Sequence, residues 1–229
     1  MEIIGHRGAS GHAPENTLKA FAMALEMGCQ WLELDVHFAL DRLLVIHDEA
    51  LDRTTDGRGL LGDHKLDTLR TFDAGDGERI PFLDEVLDLV SGRAVINIEL
   101  KGAGTAKPVS QLLTTWCENR QVETDRFLLS SFNHNELAEA DPRFERAALF
   151  GRLPDDAVER TLALGARYLN TSLRSVTETW INRAHRSGLK VAVYTVNEPE
   201  DIDRMRAWGV DAIFCDYPDR AFTGPLKMR

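Results

Sequence analysis

Two histidines lie at the ends of strand-like runs, where they could transfer protons. The segment HRGASGHAPENT, residues 6–17, follows a short apolar run and precedes an amphipathic helix pattern. Its first residue is a His, and Arg7 beside it suits the binding of an anion. We expect Gly8 to leave space for a substrate to approach. A second histidine, His47, lies near the end of the run LLVIHD, so two groups with pKa values near neutrality are available as base and acid.

Three carboxylates are predicted to point inward from two neighbouring strands. In WLELDV, residues 31–36, strand alternation puts the apolar side chains on one face and Glu33 and Asp35 on the other. In AVINIELK, residues 94–101, the same alternation puts Glu99 inward. Crowded carboxylates repel one another unless a cation joins them, and ligation by oxygen alone suits Mg²⁺, Ca²⁺ or Mn²⁺. The pattern therefore predicts a divalent metal site.

Each of these residues also has a structural interpretation when it is taken alone. Glu33 or Glu99 could form a local salt bridge with Lys101 or Arg7, and a lone histidine is more often a hydrogen-bonded structural residue. The functional interpretation depends on convergence, because three acids and two imidazoles would meet where barrel enzymes carry their active sites.

Short β-rich runs alternate with helix patterns along the chain, which is typical of βα units and a parallel sheet. Eight runs are candidate parallel strands, and eight strands close a (β/α)8 barrel, or TIM barrel. These runs are residues 2–7, 31–36, 94–100, 127–131, 147–150, 168–171, 190–195 and 212–215.

One stretch departs from this alternation. The run LLVIHD, residues 43–48, follows WLELDVHFA, residues 31–39, with the turn-like pair Asp41 and Arg42 between them, which is too short for a parallel crossover. The sequence therefore predicts a β-hairpin at the carboxyl rim, with antiparallel pairing that brings His47 beside Val36 and Asp35. The polar, Gly-rich residues 51–79 follow, and their shape cannot be derived from the pattern.

Length and composition favour one acidic domain. The 229 residues are 43% hydrophobic and carry a formal net charge of -10, which disfavours nucleic acid and anionic membrane surfaces as partners. We expect a single domain over residues 1–229 with an insertion at about 37–80. Three widely spaced cysteines are expected to be reduced and structural. No apolar run is long enough to span a membrane and no signal peptide pattern is present, so a cytoplasmic protein is expected.

Five segments together resemble the glycerophosphodiester phosphodiesterase family, a group of metal-dependent barrels related to the phosphatidylinositol-specific phospholipases C. In chain order these segments are HRGASGHAPENT, ELDV, VIHDEALDRTT, IELKG and VYTVN. The resemblance extends from Ile3 to about Pro218. It departs from the family pattern at residues 40–42, Leu-Asp-Arg where Lys-Asp-Gly is usual, and at Tyr194, where Trp is common.

The resemblance implies hydrolysis of a small-molecule glycerophosphodiester to glycerol 3-phosphate and an alcohol. We expect His6 to act as base on the glycerol 2-hydroxyl or on a water, and His47 to protonate the departing alkoxide. One divalent cation, Mg²⁺ or Ca²⁺, is expected as cofactor. The implied site consists of the metal ligands Glu33, Asp35 and Glu99, the catalytic pair His6 and His47, the phosphate-binding residues Arg7 and Lys101, and the candidate pocket residues Phe132 and Tyr194.

Two other functions remain open at this stage. A phospholipase C- or D-like lyase or hydrolase of the same superfamily, acting on lipids, would be expected to show an apolar rim, whereas these loops are polar. A non-catalytic phosphate-binding barrel would be expected to lack one histidine or acid, and none is missing. The preferred head group, the choice of metal, the order of attack and the oligomeric state do not follow from the sequence.

Overall fold

A computed structural model describes residues 1–222, and residues 223–229 of the expected 1–229 domain lie outside the described part. The strands are β1 (Glu2–Gly5), β2 (Trp31–Ala39), β3 (Arg42–Val45), β4 (Val95–Leu100), β5 (Phe127–Ser131), β6 (Glu145–Phe150), β7 (Tyr168–Ser172), β8 (Lys190–Tyr194) and β9 (Ala212–Cys215). The α-helices are α1 (Leu18–Glu26), α2 (Leu66–Leu69), α3 (Leu83–Val90), α4 (Ala106–Arg120), α5 (His134–Ala138), α6 (Ala157–Ala163), α7 (Glu178–Arg186) and α8 (Pro199–Ala207).

Eight of these strands close into a parallel barrel, which confirms the predicted fold class. Going round the barrel, the order is β1, β2, β4, β5, β6, β7, β8 and β9, and β9 pairs with β1. The predicted strand ends are correct to within three residues, and the largest difference is at the end of β2, which extends to Ala39. The largest difference that concerns chemistry is in β1, which ends at Gly5 rather than Arg7, so that His6 and Arg7 lie in the loop above it.

The two faces of β2 explain why its carboxylates point inward. Leu32, Leu34 and Val36 are fully buried and pack with Phe21 of α1 and Leu83 of α3 in the layer between barrel and helices. Each such side chain stabilises the fold by about 2 kcal/mol through loss of apolar surface to water. Because strand side chains alternate, the intervening Glu33 and Asp35 are forced to the inside of the barrel.

The predicted hairpin is present, but its register differs from the prediction. Strand β3 pairs antiparallel with β2, Val45 lies opposite Val36, and the Ile46 N–H donates to the Asp35 carbonyl at 3.0 Å. His47 therefore lies just beyond the paired residues rather than beside Val36 and Asp35. The turn is formed by Leu40 and Asp41, both at positive φ, rather than by Asp41 and Arg42, and this shifts the pairing of the two strands by two residues.

An excursion, residues 46–80, continues from the hairpin and has its own small apolar core. It contains α2 and a short 3₁₀ helix, Leu61–Asp63. The core buries Leu51, Leu61 and Leu69 away from the main barrel layers. The excursion is thus a packed substructure that can hold side chains in fixed positions over the carboxyl rim.

Two further expectations concern the described residues. Cys29, Cys117 and Cys215 are buried free thiols, in agreement with the prediction. Within residues 1–222, no helix combines the length and the apolar character that crossing a membrane requires.

Candidate active site

Three carboxylates meet at the carboxyl ends of β2 and β4. Asp35 pairs with Glu99 across the two strands, and Glu33 lies two residues earlier on the same inward face. One oxygen of each carboxylate lies within 4.8 Å of the other two. Burial, reinforced by the charge of Asp35, raises the pKa of Glu33 to about 8 and also raises the pKa of Glu99. The cluster is therefore unfavourable in its fully charged form unless a cation compensates it.

The donor set fits a divalent cation. The Oδ1 atom of Asp35 is buried and accepts no hydrogen bond from any residue between 1 and 222. The other oxygen, Oδ2, accepts from Asn16 Nδ2 at 2.9 Å, and the Asp35 N–H donates to Asn16 Oδ1 at 3.2 Å. Asn16 thus fixes the carboxylate and leaves one oxygen available, and three carboxylates suit a hard cation such as Mg²⁺ or Ca²⁺.

Two cationic side chains surround this cluster. Arg7 Nε lies 3.1 Å from Asp35 Oδ2, and Lys101 Nζ lies 2.8 Å from Glu99 Oε1. Burial alone would lower the pKa of Lys101, but the charges of Glu99 and Asp35 outweigh it and raise that pKa. Both groups therefore stay charged, and they present the positive field that an anionic substrate requires in an acidic protein.

The loop after β1 positions Arg7 through its backbone. Arg7 has a φ of +54°, and its N–H donates to Glu33 Oε2 at 2.9 Å. Gly8 follows at φ +83°, and a Cβ there would lie 2.5 Å from the Ala20 carbonyl carbon of α1. The expectation that Gly8 makes space for a substrate is therefore corrected, because the glycine is required by the left-handed backbone and by close packing against α1.

His6 is held by a carboxylate that the sequence analysis did not identify. Its Nδ1 lies 2.6 Å from Asp216 Oδ1, just after β9, and its Nε2 lies 3.9 Å from Glu33 Oε2. Burial opposes protonation of the ring, but the hydrogen bond to Asp216 and the charge of Glu33 raise the pKa of His6 overall. The contact assigns the Nδ1 proton to the Asp216 bond and directs Nε2 to the carboxylate cluster.

His47 forms a second histidine–carboxylate pair on the excursion. Its Nδ1 lies 2.5 Å from Asp48 Oδ1, and Lys101 Nζ donates to its Nε2 at 3.1 Å. His37, on the hairpin, lies within 3.0 Å of the His47 carbonyl through its Nε2. Burial lowers the pKa of His47, and the charges of Arg7 and Lys101 add to this effect, so that they outweigh Asp35 and Asp48.

Arg53 connects the His47 pair to the Arg7 loop. Its Nε donates to Asp48 Oδ2 at 2.5 Å, and its Nη1 and Nη2 each lie 2.8 Å from an oxygen of Glu15. Glu15 Oε1 also accepts from Arg7 Nη1 at 2.8 Å. The Arg53 guanidinium thereby links Asp48, the carboxylate partner of His47, to Glu15, the carboxylate partner of Arg7.

A cavity of about 150 Å³ gathers the predicted residues at the carboxyl end of the barrel. Asp35 is completely buried beneath it. The rings of Phe132 and Tyr194 are 5.9 Å apart at 84° and form an apolar side of the cavity. The other eight predicted site residues line the cavity, namely His6, Arg7, Glu33, His47, Glu99, Lys101, Phe132 and Tyr194.

The residues of the site that the sequence did not predict hold the predicted residues in position. The strand order could have predicted Asp216, because barrel closure puts the residue after β9 next to the residue after β1. Asp48 has a signal in its position next to His47. Asn16, Glu15 and Arg53 have no such signal, since loop residues show no periodicity that reports their direction.

Comparison with known proteins gives a consistent result over almost the whole chain. The model of the glycerophosphoryl diester phosphodiesterase family matches residues 6–220. A glycerophosphodiester phosphodiesterase of Bacillus altitudinis is 38% identical over 236 residues, which covers 96% of each chain.

Solved structures agree with this similarity. A phosphodiesterase from Oleispira antarctica, in complex with the product sn-glycerol-3-phosphate, is 30% identical with a TM-score of 0.88, covering 96% of this chain and 95% of that one. A glycerophosphodiester phosphodiesterase from Agrobacterium tumefaciens is 30% identical with a TM-score of 0.80, covering 96% and 98% of the two chains.

Proposed function

Since the chain belongs to the glycerophosphoryl diester phosphodiesterase family, we propose that it hydrolyses glycerophosphodiesters to glycerol 3-phosphate and an alcohol. The observation that carries this proposal is the convergence of three carboxylates, two histidines and two cations on one cavity. The product bound to the Oleispira antarctica relative gives support from outside the chain.

Glu33, Asp35 and Glu99 would hold one divalent cation, Mg²⁺ or Ca²⁺. Bound there, the ion supplies positive charge that offsets the carboxylates and the phosphate oxygens. Arg7 offers a planar fork that can grip two phosphate oxygens, and Lys101 adds a point charge on the opposite side of Asp35. These cations compensate the charge that develops on the phosphoryl oxygens as the ester bond breaks.

The two histidines divide the proton transfers in this proposal. His6, with Nδ1 on Asp216, takes a proton at Nε2 from the glycerol 2-hydroxyl or from a water. His47, with Nδ1 on Asp48, gives a proton from Nε2 to the departing alkoxide, which requires that Lys101 turns from Nε2 to the substrate phosphate and that the ring is protonated before the ester bond breaks. If the hydroxyl attacks, a cyclic phosphate forms first and the same pair exchanges roles to open it. Phe132 and Tyr194 would pack against the carbon atoms of the substrate.

The organisation and setting of the enzyme form part of the proposal. We infer that one barrel domain over residues 1–229, with the insertion at about 37–80, carries the whole activity in the cytoplasm. The buried, free thiols are compatible with a reducing compartment. Because glycerophosphodiesters are glycerophospholipids without their acyl chains, the activity would serve lipid and glycerol metabolism.

Chelator-treated protein tests the proposal directly. We expect release of glycerol 3-phosphate from a panel of glycerophosphodiesters when Mg²⁺ or Ca²⁺ is restored, and little release without either metal.

Glu99→Ala should abolish metal binding measured by calorimetry and lower turnover by about 10³-fold or more. Its stability need not fall, because removal of one carboxylate relieves repulsion. Glu139→Ala is the matched control, since Glu139 is exposed and pairs with Lys107 away from the site. A Glu99→Ala variant that kept metal affinity and turnover would refute the carboxylate site.

A further inference from the structure

A second cavity, of about 500 Å³, adjoins the catalytic cavity at the carboxyl ends of β5 and β6. Phe132 and Leu149 line both cavities and form the boundary between them. Phe132 is 48% exposed, and its ring lies 5.9 Å from Lys101 Nζ. A diester whose phosphate lies near Lys101 would therefore have one of its two alcohol groups within reach of this second cavity.

The lining of this cavity is rich in hydrogen-bond donors and contains no carboxylate among the residues described. Arg152 lies on the loop after β6 and has no ion-pair partner within residues 1–222. Arg160, on α6, pairs through Nε with the exposed Asp156 at 2.9 Å, which leaves its Nη groups available. Asn133 accepts the Glu136 N–H through Oδ1, so its Nδ2 group remains a donor.

The absence of carboxylates from the described lining contrasts with the rest of the molecule. The formal net charge is -10, and the larger cavity at the amino ends of the strands includes Glu2 and Asp211 in its lining. The catalytic cavity itself contains Glu33 and Glu99. Arg152 has no carboxylate partner among the described residues, and Arg160 shares only its Nε with Asp156, so the two guanidinium groups of the lining can still donate to a negatively charged group.

We propose that this cavity binds the leaving alcohol of the diester and favours alcohols that carry a second anionic group, a carboxylate or a phosphate. The proposal rests on the proposed function, because it assigns the second half of the same substrate. Arg152 and Arg160 would contact the anion, and the asparagine amides would donate to its hydroxyl groups. These residues determine specificity and take no part in bond breaking.

A matched pair of substrates tests the preference. The two diesters release either glycerol or glycerate as the leaving alcohol, so they differ in the replacement of one hydroxymethyl group by a carboxylate. We expect kcat/KM to be about tenfold higher for the glycerate ester, as one charge-assisted hydrogen-bonded contact would give, and the advantage should shrink as salt is added. A matching ester of glycerol bearing a terminal phosphate shows whether phosphate serves as well as carboxylate.

Variants of the two arginines separate this proposal from the proposed function. Arg152→Gln and Arg160→Gln should each lower the glycerate-to-glycerol ratio about threefold to tenfold, because kcat/KM falls more for the glycerate ester than for the neutral glycerol ester. Arg174→Gln is the matched control, because it makes the same charge change on the exposed loop after β7, outside the cavity.

Equal kcat/KM values for the two esters in the parent enzyme would overturn the anion preference, as would a ratio that both cavity variants leave intact. An equal fall of the ratio in Arg174→Gln would assign the preference to net charge and would also overturn the proposal. Failure of the parent enzyme to release glycerol 3-phosphate from either ester would instead refute the proposed function.

Discussion

The two histidine–carboxylate pairs in the cavity have nearly the same contact and opposite electrostatic surroundings. Nδ1 lies 2.6 Å from a carboxylate oxygen in His6–Asp216 and 2.5 Å in His47–Asp48. The pKa of His6 is nevertheless raised and that of His47 lowered. Both rings are partly buried, and the difference lies in their neighbours, because His6 has Glu33 nearby whereas His47 has two cations nearby. A short carboxylate contact therefore orients a ring without fixing how readily it is protonated.

The pairs also differ in how they are held. His6 and Asp216 follow adjacent barrel strands, and Asp216 additionally accepts from Ser10 Oγ at 2.9 Å and Asn197 Nδ2 at 2.7 Å. His47 and Asp48 are sequence neighbours on the excursion, and Arg53 holds the far oxygen of Asp48. The barrel itself supports one pair, and a single ion-pair network supports the other. Substitutions in each support can show whether this difference matters for catalysis.

Removal of each ring should have the largest effect and should separate their roles. General acid–base catalysis contributes roughly 10²- to 10⁴-fold, so His47→Ala should lose that much on an alkyl ester such as glycerophosphocholine. A nitrophenolate is a weak base and needs little protonation, so the loss should be much smaller on a nitrophenyl phosphodiester that the parent enzyme hydrolyses. His6→Ala should lose activity on both esters, because the nucleophile must be activated whichever group departs.

Steady-state kcat/KM for both variants on both esters decides the assignment. Equal losses of His47→Ala on the two esters would contradict its role as the acid. Rescue of His6→Ala by the nitrophenyl ester would mean that the two roles are reversed.

Asp216→Asn should have the next largest effect. The amide can no longer accept the Nδ1 proton as a charged acceptor, so the favoured tautomer and orientation of His6 are lost, and we expect kcat/KM to fall roughly 10²-fold. Asp219→Asn is a matched control, because Asp219 forms a similar pair with the exposed His12, at 2.7 Å, away from the cavity. Comparable losses in the two variants would show that Asp216 has no special connection with catalysis.

Arg53→Met should have a smaller and more selective effect. Loss of its bonds to Asp48 and Glu15 loosens His47 and Arg7 together, and we expect a decrease of about tenfold in kcat/KM on alkyl esters. Because His47 is affected, the decrease should be smaller on the nitrophenyl ester. Arg58→Met is the control, since Arg58 is an exposed arginine of the same excursion and pairs only with Asp52 at 3.3 Å within the described residues. Full activity of Arg53→Met would show that the ion pairs of Arg53 with Asp48 and Glu15 do not contribute to catalysis.

The contrast between the two pairs also shows what the sequence could predict. Alternation along WLELDV and AVINIELK was sufficient to place the three carboxylates inward, because one face of each strand must meet the helices. Adjacency of β2 and β4 then followed from the chain order. The Asp216 contact required the closure of the barrel, which links residues 210 positions apart. The direction of Arg53 depends on a loop with its own packing, and the role of Gly8 depends on how closely α1 approaches, so neither follows from a local pattern.

The pH dependence of stability should show the smallest effect and tests the barrel-supported pair in the folded protein. Burial opposes ionisation of Asp216, but the hydrogen bond and charge of His6 outweigh it and lower its pKa from 3.8 to about 2. A carboxylate with a depressed folded pKa stabilises the fold above its unfolded pKa, and this stabilisation is lost as pH falls from about 4 to about 2. The pKa of His6 is raised above 6.5, so its contribution is present below that pH and is lost as pH rises through the folded pKa.

The pair should therefore stabilise the protein most between about pH 4 and pH 6.5, by about 1–2 kcal/mol. Urea unfolding of metal-free parent and Asp216→Asn across pH 3 to 9 measures this difference as the free energy of unfolding. We expect the advantage of the parent to be largest inside that window, to be lost as pH falls from about 4 to about 2, and to shrink as pH rises through the raised folded pKa of His6, while the bonds from Ser10 and Asn197 to Asp216 remain. Asp219→Asn should follow the parent throughout. A constant difference between parent and Asp216→Asn at all pH values would show that Asp216 stabilises the fold through uncharged contacts, and the electrostatic account of the His6–Asp216 pair would then be wrong.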